Sequence, residues 1–250
     1  FKNNSSYQGR LKERAEMGAE LIGDDSADGD AEMIAMVIDS LKAAGLKEFQ
    51  VELGQVAFYR SLLEEAGFSE EVEEELNQLV ENKNDFGVAE LLKGQDIDEG
   101  LKQVFLKLPE LFGSLEQIVQ ARKLTSSPKA LAAIERLEQV HAILQSYGLA
   151  DYVSYDLGML SKYHYYTGII FKAYTYGTGD YIVTGGRYDK LLVQFGKDTP
   201  AVGFAIVVDQ VMAALSRQQI DTPVTLVNTV ILYEAPARDN AIRLGRYFKE

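Results

Sequence analysis

The sequence predicts an α+β fold, in which an antiparallel sheet is flanked by helices and interrupted by a helical insertion. Three observations lead to this prediction. Strand-like and helix-like patterns alternate over residues 1–67, acidic helical patterns fill residues 68–147, and strand patterns return after Gly148. A length of 250 residues is enough for one large domain or two modest ones.

The first part contains two strands, each followed by a helix. Residues 7–23 are predicted to form a strand or hairpin arm that ends at Gly23, and residues 28–44 form a helix. Aspartates crowd the start of that helix and a glycine follows its end, as is usual at helix termini. Residues 49–53 alternate as a half-buried strand, and residues 55–66 form the second helix.

Residues 68–147 are predicted to form an all-helical insertion. Twelve acidic and four basic side chains lie between Phe68 and Glu110, and a regular helix follows at Pro128–Ser146. The acidic run has two interpretations. It is either an ordinary solvated surface or a partner-facing insertion that repels nucleic acid.

Strands return in the last part. Residues 151–155, 168–176 and 180–184 are predicted to form an antiparallel set, with a hairpin turn at Gly177–Gly179. The glycines at 185 and 186 are predicted to break the last strand into a short helix that ends at Phe195. The remaining predicted elements are a strand at 202–206, a helix at 207–216, a strand at 227–233, a turn at 234–236 and a helix at 238–248.

Composition excludes several classes of function. The formal net charge is −13, which argues against a protein that mainly grips nucleic-acid phosphates. The absence of cysteine excludes disulfides, thiolate zinc sites, iron–sulfur clusters and cysteine nucleophiles. Only His141 and His164 supply imidazole, which excludes multi-histidine metal sites. We expect no metal and no cofactor. No apolar run is long enough for a membrane span and no signal peptide opens the chain, so we expect a cytoplasmic protein without a membrane partner.

We expect the chain to be an interior piece of a longer protein. It begins with Phe1 rather than methionine, and the predicted strand and helix at its other end have nothing to pair against.

Three local features are candidates for function. The pair Gly185-Gly186 can cradle an anion on free backbone amides, or it can simply form a tight turn. The run Tyr163-His164-Tyr165-Tyr166 is predicted to lie in a strand, where alternate residues point to opposite faces, so two of the rings face a cleft or solvent. Glu20 lies on an otherwise apolar arm and is either exposed or bound to something cationic.

Four motifs in order resemble the core of the class II histidyl-tRNA synthetases. The resemblance covers about 215 residues, to Ser216, and includes a helical insertion where that family has one. It implies a class II synthetase-like antiparallel sheet flanked by helices. The motifs are Glu16–Gly23, Tyr165–Gly168, Thr184–Asp189 and Pro200–Ile206.

The chain departs from this family at the positions that handle phosphate. The family's Phe-Arg-x-Glu motif is Phe1-Lys2-Asn3-Asn4 here, so Lys2 and Asn4 replace its arginine and glutamate. Ser161 stands where the family has the arginine of its histidine-specific signature, and Gln210 replaces the arginine that ends the third motif. Positive charge placed on developing negative charge drives adenylate formation, so the resemblance implies that this chain is not a working synthetase and has no catalytic residues.

The amino-acid side of the family's site is better preserved. By resemblance, Glu20 binds a histidine imidazole, Glu16 replaces the usual glutamine beside it, and Tyr165 and Tyr166 wall the pocket. The floor implied by the third motif is Gly185, Gly186, Arg187 and Tyr188. His164 replaces a family aspartate. The alternative is a vestigial pocket that binds nothing.

A synthetase-like core without phosphate-binding arginines is similar to the regulatory subunits of ATP phosphoribosyltransferase. That resemblance implies a non-catalytic protein that supports a short-form catalytic subunit in the first step of histidine biosynthesis, binds histidine in feedback inhibition, and forms a homodimer within a hetero-oligomer. Two alternatives stay open, a divergent histidyl-tRNA synthetase and a stand-alone histidine-binding module. The expected domains are residues 1–67 and 148–217 for the core, 68–147 for the insertion, and 218–250 for a linker and the start of a further α/β domain.

Overall fold

The computed structural model describes residues 13–160, 165–222 and 230–247. The chain divides into two compact units, Phe1–Ile220 and Asp221–Glu250. In the described part of the second unit, a 3₁₀ turn at Ala235–Ala237 leads into a helix at Arg238–Tyr247.

The described part of the first unit is built on one seven-stranded sheet. Its spatial order is first, seventh, sixth, fifth, second, fourth and third strand. Neighbouring strands run antiparallel except the second and fourth, which are parallel. The strands are β1 (Glu16–Ile22), β2 (Phe49–Gln55), β3 (Phe112–Gly113), β4 (Val153–Asp156), β5 (Ile169–Thr175), β6 (Val183–Arg187) and β7 (Ala201–Val207).

Helices pack against this sheet and begin at residues suited to that position. Ser26 caps the first helix by accepting a hydrogen bond from the Gly29 amide at 3.1 Å, and Pro128 occupies the first turn of the seventh. The helices are α1 (Ala27–Ala43), α2 (Val56–Ala66), α3 (Glu70–Glu81), α4 (Asp85–Lys93), α5 (Glu99–Lys107), α6 (Leu115–Leu124), α7 (Pro128–Ser146) and α8 (Val208–Arg217).

The main core lies between one face of the sheet and the helices α1, α2 and α7. Val51 of β2, Phe171 of β5 and Val183 of β6 point to this core and are fully buried. Because side chains alternate along a strand, the intervening residues of β1, β7 and β6 point to the opposite face. That second face carries the candidate site.

The α+β architecture and most of the predicted elements agree with the structure. The insertion differs in one respect, because it includes the short strand β3, which pairs with β4 at the edge of the sheet. The predicted antiparallel pairing of residues 151–155 with residues 168–176 is wrong. These residues correspond to β4 and β5, and β2 lies between them, parallel to β4 and antiparallel to β5. The connection between β2 and β4 contains the whole insertion, which is long enough for a parallel crossover.

Two local predictions are also wrong. Gly185 and Gly186 do not open a helix, because both lie inside β6 and the next helical turn is a 3₁₀ helix at Leu191–Phe195. Tyr165 and Tyr166 are not in a strand, since they lie in the turn before β5. Their neighbours at 163 and 164 lie outside the described residues.

The predicted strand at 227–233 is not formed where it can be assessed. Residues 230–233 have no strand conformation, and residues 227–229 lie outside the described part of the chain. Within the described ranges, every helix is too short or too polar to cross a membrane.

Candidate functional site

A cleft of about 570 Å³ lies over β1, β7 and β6, on the face of the sheet away from α1. Six of the eight residues predicted for the pocket and its floor line it. These six residues are Glu16, Glu20, Tyr165, Tyr166, Gly185 and Tyr188. The rest of its described lining is Glu13, Arg14, Tyr181, Thr184, Gly203, Phe204 and Ala205.

Two glycines leave part of the cleft floor without side chains. Strand register places Glu20 opposite Gly203, and Gly203 opposite Gly186. A Cβ on Gly203 would overlap the Glu20 carboxylate, and a Cβ on Gly186 would lie 2.7 Å from the Tyr166 ring. Glycine inside a strand often marks such a close approach. The two glycines therefore make room for the acidic and aromatic side chains that define the cleft.

The Glu20 carboxylate accepts a hydrogen bond from the Tyr188 hydroxyl. Burial raises the pKa of Tyr188 above its ordinary value, and the hydrogen bond and negative charge of Glu20 raise it further. Tyr188 therefore stays protonated at neutral pH and acts as a donor. Glu20 is exposed to solvent, so its remaining acceptor capacity faces the open cleft.

Tyr165 and Tyr166 form an aromatic wall beside this pair. Their ring centroids are 4.5 Å apart, and Tyr165 meets the Tyr188 ring edge-on at 6.0 Å. The turn that carries them is held by backbone contacts. The Thr167 amide donates to the Arg187 carbonyl at 2.8 Å, and Arg60 donates to the Tyr166 carbonyl at 3.2 Å. Tyr166 is 7% exposed, which makes it the fixed part of the wall.

Arg187 lies on the face of β6 opposite the cleft. Its Nε donates to Asp30 Oδ1 at 2.8 Å, and Nη1 contacts both the Asp24 carbonyl and Asp189. Arg136 of α7 binds the other oxygen of Asp30 at 2.7 Å. Arg187 therefore links β6 to α1 and, through Asp30, to α7. Although it was predicted for the floor, its side chain does not line the cleft.

Arg14 is a cleft residue that the sequence analysis did not identify. Its Nε lies 3.2 Å from Glu16 Oε1, and its guanidinium carbon lies 5.6 Å from the centroid of the Tyr181 ring. The spacing of residues along the chain could have identified Arg14. Arg14, Glu16, Gly18 and Glu20 alternate at period two, which places them on one face of an extended chain.

The predicted phosphate positions lie apart from this lining where they can be located. Gln210 is on α8 and is not among the described lining residues. Its neighbour Asp209 accepts a hydrogen bond from the Ala15 amide at 2.9 Å and so ties the start of β1 to α8. Lys2, Asn4 and Ser161 lie outside the described residues.

The charge of the cleft favours cationic groups. Its described lining contains three glutamates and one arginine. A carboxylate that accepts from a neutral tyrosine can still accept from an imidazole or ammonium donor. A polyanion such as a triphosphate would meet net negative charge at this lining.

Comparison with known proteins identifies similar chains. The family model described as histidyl-tRNA synthetase matches residues 1–211. The ATP phosphoribosyltransferase regulatory subunit of Acetivibrio thermocellus is 41% identical over 244 residues, which cover 98% of this chain and 58% of that protein. The protein of the same name from Bacillus cereus is 37% identical over 252 residues, covering 100% and 60%. This chain thus spans about three fifths of those relatives.

Solved structures share the fold. The structure described as an ATP phosphoribosyltransferase regulatory subunit/histidyl-tRNA synthetase from Bacillus halodurans has a TM-score of 0.76 at 33% identity, covering 97% of this chain and 62% of that one. The ATP phosphoribosyl transferase (HisG:HisZ) complex from Thermotoga maritima has a TM-score of 0.62 at 22% identity, covering 78% and 66%. The second similarity concerns the fold alone.

Proposed function

The chain belongs to the histidyl-tRNA synthetase family, and from that premise we propose that it is part of a non-catalytic regulatory subunit of ATP phosphoribosyltransferase whose cleft binds histidine. The observation that carries the ligand assignment is the Glu20–Tyr188 pair in an acidic, tyrosine-walled cleft. The family supplies the fold, and the chemistry of this cleft selects among the functions that the fold can host.

The names of the relatives support the regulatory role. Both curated relatives described above are called regulatory subunits, and both align along nearly the whole of this chain. A regulatory subunit implies a separate catalytic subunit, so the proposed partner is a short-form ATP phosphoribosyltransferase. In this proposal the complete protein acts in the cytoplasm, as a homodimer within a hetero-oligomer.

The cleft chemistry supports histidine as the ligand. An imidazole N–H can donate to Glu20, and the Tyr165 and Tyr166 rings offer a flat wall for the imidazole ring. The excess of carboxylates stabilises a protonated amine or imidazolium. Feedback inhibition then requires that histidine bind the inhibited assembly more tightly than the active one.

The same cleft argues against the synthetase alternative. Adenylate formation needs cationic side chains around the ATP phosphates, and Arg14 is the one described cation in this lining. Gln210 stands where the family resemblance expects an arginine, as do Lys2 and Ser161 at their own positions. The proposal is therefore a binding subunit without an aminoacylation activity of its own.

The test uses the full-length protein mixed with a purified short-form catalytic subunit from the same source. Formation of phosphoribosyl-ATP is measured with and without histidine. We expect activity to need both proteins and to fall as histidine is added. In the same assay, Glu20→Gln raises the histidine concentration for half inhibition by about tenfold, because a charge-assisted hydrogen bond is replaced by a neutral one.

Glu32→Gln is the matched control, since Glu32 is an exposed glutamate of α1 and is not part of the cleft lining. It should leave half inhibition unchanged. A catalytic protein that is equally active alone, with no complex formed, overturns the regulatory proposal. ATP–pyrophosphate exchange would then test for a synthetase, and histidine binding would test for a stand-alone module.

A further inference from the structure

The cleft has two chemically different ends. One end is the Glu20–Tyr188 pair, and the other is Arg14 with Glu16. Among the residues that line the described part of the cleft, Arg14 is the one cationic side chain. Three glutamates lie in the same described lining, so among these residues the Arg14 guanidinium is the group that favours a ligand carboxylate.

An open trough connects the two ends. Glu16 and Glu20 lie four residues apart on the same face of β1, so their Cα atoms are about 13 Å apart. Gly18 lies between them without a side chain. Its register partner is Ala205, and the partner of Ala205 is Thr184, so small residues continue across the floor. The cleft volume of about 570 Å³ leaves room for one amino acid along this floor.

Arg14 has the capacity to bind a second carboxylate. Its ion pair with Glu16 engages Nε, and the Tyr181 ring supports one face of the guanidinium. A guanidinium carries five N–H donors arranged as a fork, which suits bidentate binding of a carboxylate. The Arg14 side chain is 23% exposed, so the group is held in place and still reaches the cleft.

We infer that Arg14 determines the ligand specificity of this cleft by binding the α-carboxylate of the amino acid whose imidazole contacts Glu20. The inference rests on the proposed function, since it assigns the second end of the same histidine site. On binding, the ligand's carboxylate joins Glu16 on the Arg14 guanidinium. The cleft therefore distinguishes the amino acid from its decarboxylated amine, which Glu20 alone cannot do.

The test compares L-histidine with histamine, which keeps the imidazole and the amine but lacks the carboxylate. Binding to the full-length protein is measured by calorimetry. We expect the unmodified protein to prefer histidine. Arg14→Met weakens histidine binding at least about tenfold, through loss of a charge-assisted pair. The same change leaves histamine binding equal or tighter, because a positive charge leaves a cleft that favours cations.

Two further variants separate specificity from structural damage. Arg14→Lys keeps the charge without the fork and should restore part of the preference for histidine. Arg122→Met deletes the arginine of an exposed pair with Glu138 on the insertion, and it should alter neither affinity. Equal weakening of both ligands by Arg14→Met, or no weakening of histidine, overturns this inference and leaves the proposed function intact. Absence of histidine binding by the unmodified protein overturns both.

Discussion

The Tyr188 hydroxyl donates a hydrogen bond to the Glu20 carboxylate and so joins the end of β6 to β1 across the intervening strand β7. Strand β7 can be crossed in this way because Gly203, the residue of β7 opposite Glu20, has no side chain. The pair holds a carboxylate at a fixed place over an otherwise bare floor. A fixed acceptor is what recognition of a single imidazole N–H requires.

The first prediction concerns this hydrogen bond. Tyr188→Phe keeps the ring and its edge contact with Tyr165 but removes the donor that orients Glu20. We expect histidine affinity to fall about threefold to tenfold, and stability to change by no more than about 1 kcal/mol, because the pair is partly exposed. Calorimetry and chemical denaturation measure the two effects. A large loss of stability with unchanged affinity would show that the pair serves the fold instead.

The second prediction concerns the bare floor. In Gly203→Ala the new methyl group would overlap the Glu20 carboxylate and lie 2.8 Å from the Ala19 carbonyl oxygen. Glu20 must rotate away, so we expect histidine binding to be lost, with a stability cost of about 1–3 kcal/mol. Gly94→Ala is the control, because a Cβ there meets open space. Normal histidine affinity in Gly203→Ala would exclude Glu20 from the site.

Much of the fold follows from local patterns in the sequence. Helices α1, α2, α7 and α8 have apolar periodicity and recognisable ends, and their predicted bounds differ from the structure by no more than one residue at either end. The parallel pairing of β2 with β4 was not predicted, because strand order depends on contacts between residues about 100 positions apart, on the order of the insertion's length.

Only part of the site could be predicted, because the rest depends on strand register. Motif resemblance placed Glu20, the two tyrosines and the Gly185-Gly186 pair at the pocket, but the glycine pair by itself suggested only an anion cradle or a tight turn. In the structure, glycine at 186 makes room for the Tyr166 ring, which follows only from the register of β6. Arg14 was missed because it lies outside the four motifs that carry the resemblance, although its alternation with Glu16 places both on one face.

The third prediction concerns the buried ion pairs beneath β6. Asp30 is 1% exposed and lies between Arg187 and Arg136, at 2.8 and 2.7 Å. Asp30→Ala leaves the Arg187 charge buried without this partner, so we expect a loss of about 3 kcal/mol in the free energy of unfolding. Arg136→Met leaves Asp30 paired with Arg187 and should cost about 1 kcal/mol.

Urea denaturation at neutral pH measures both variants of this third prediction. The expected order is a larger loss for Asp30→Ala than for Arg136→Met. Equal losses would mean that Arg187 is sufficiently satisfied by Asp189 and the Asp24 carbonyl, its other two contacts.

The fourth prediction is a pH dependence of stability that arises at Glu52 of β2. Burial raises the pKa of this carboxyl above its ordinary value of 4.5, and the charge of Asp156 raises it further, against the opposing effect of Lys83 and Lys172. The folded protein then binds the proton of Glu52 more tightly than the unfolded chain does. Its contribution to stability is therefore greatest below pH 4.5 and is lost as the pH rises through the raised pKa.

Glu52→Gln removes this titration while keeping the shape of the side chain. We expect the variant to have a higher melting temperature than the unmodified protein at pH 7, because it no longer buries a charge, and the difference should shrink as the pH falls below about 4.5. Calorimetric scans between pH 4 and 8 measure it. Glu32→Gln on exposed α1 should show no such pH-dependent gain, and an equal gain in both variants would trace the effect to net charge rather than to the burial of Glu52.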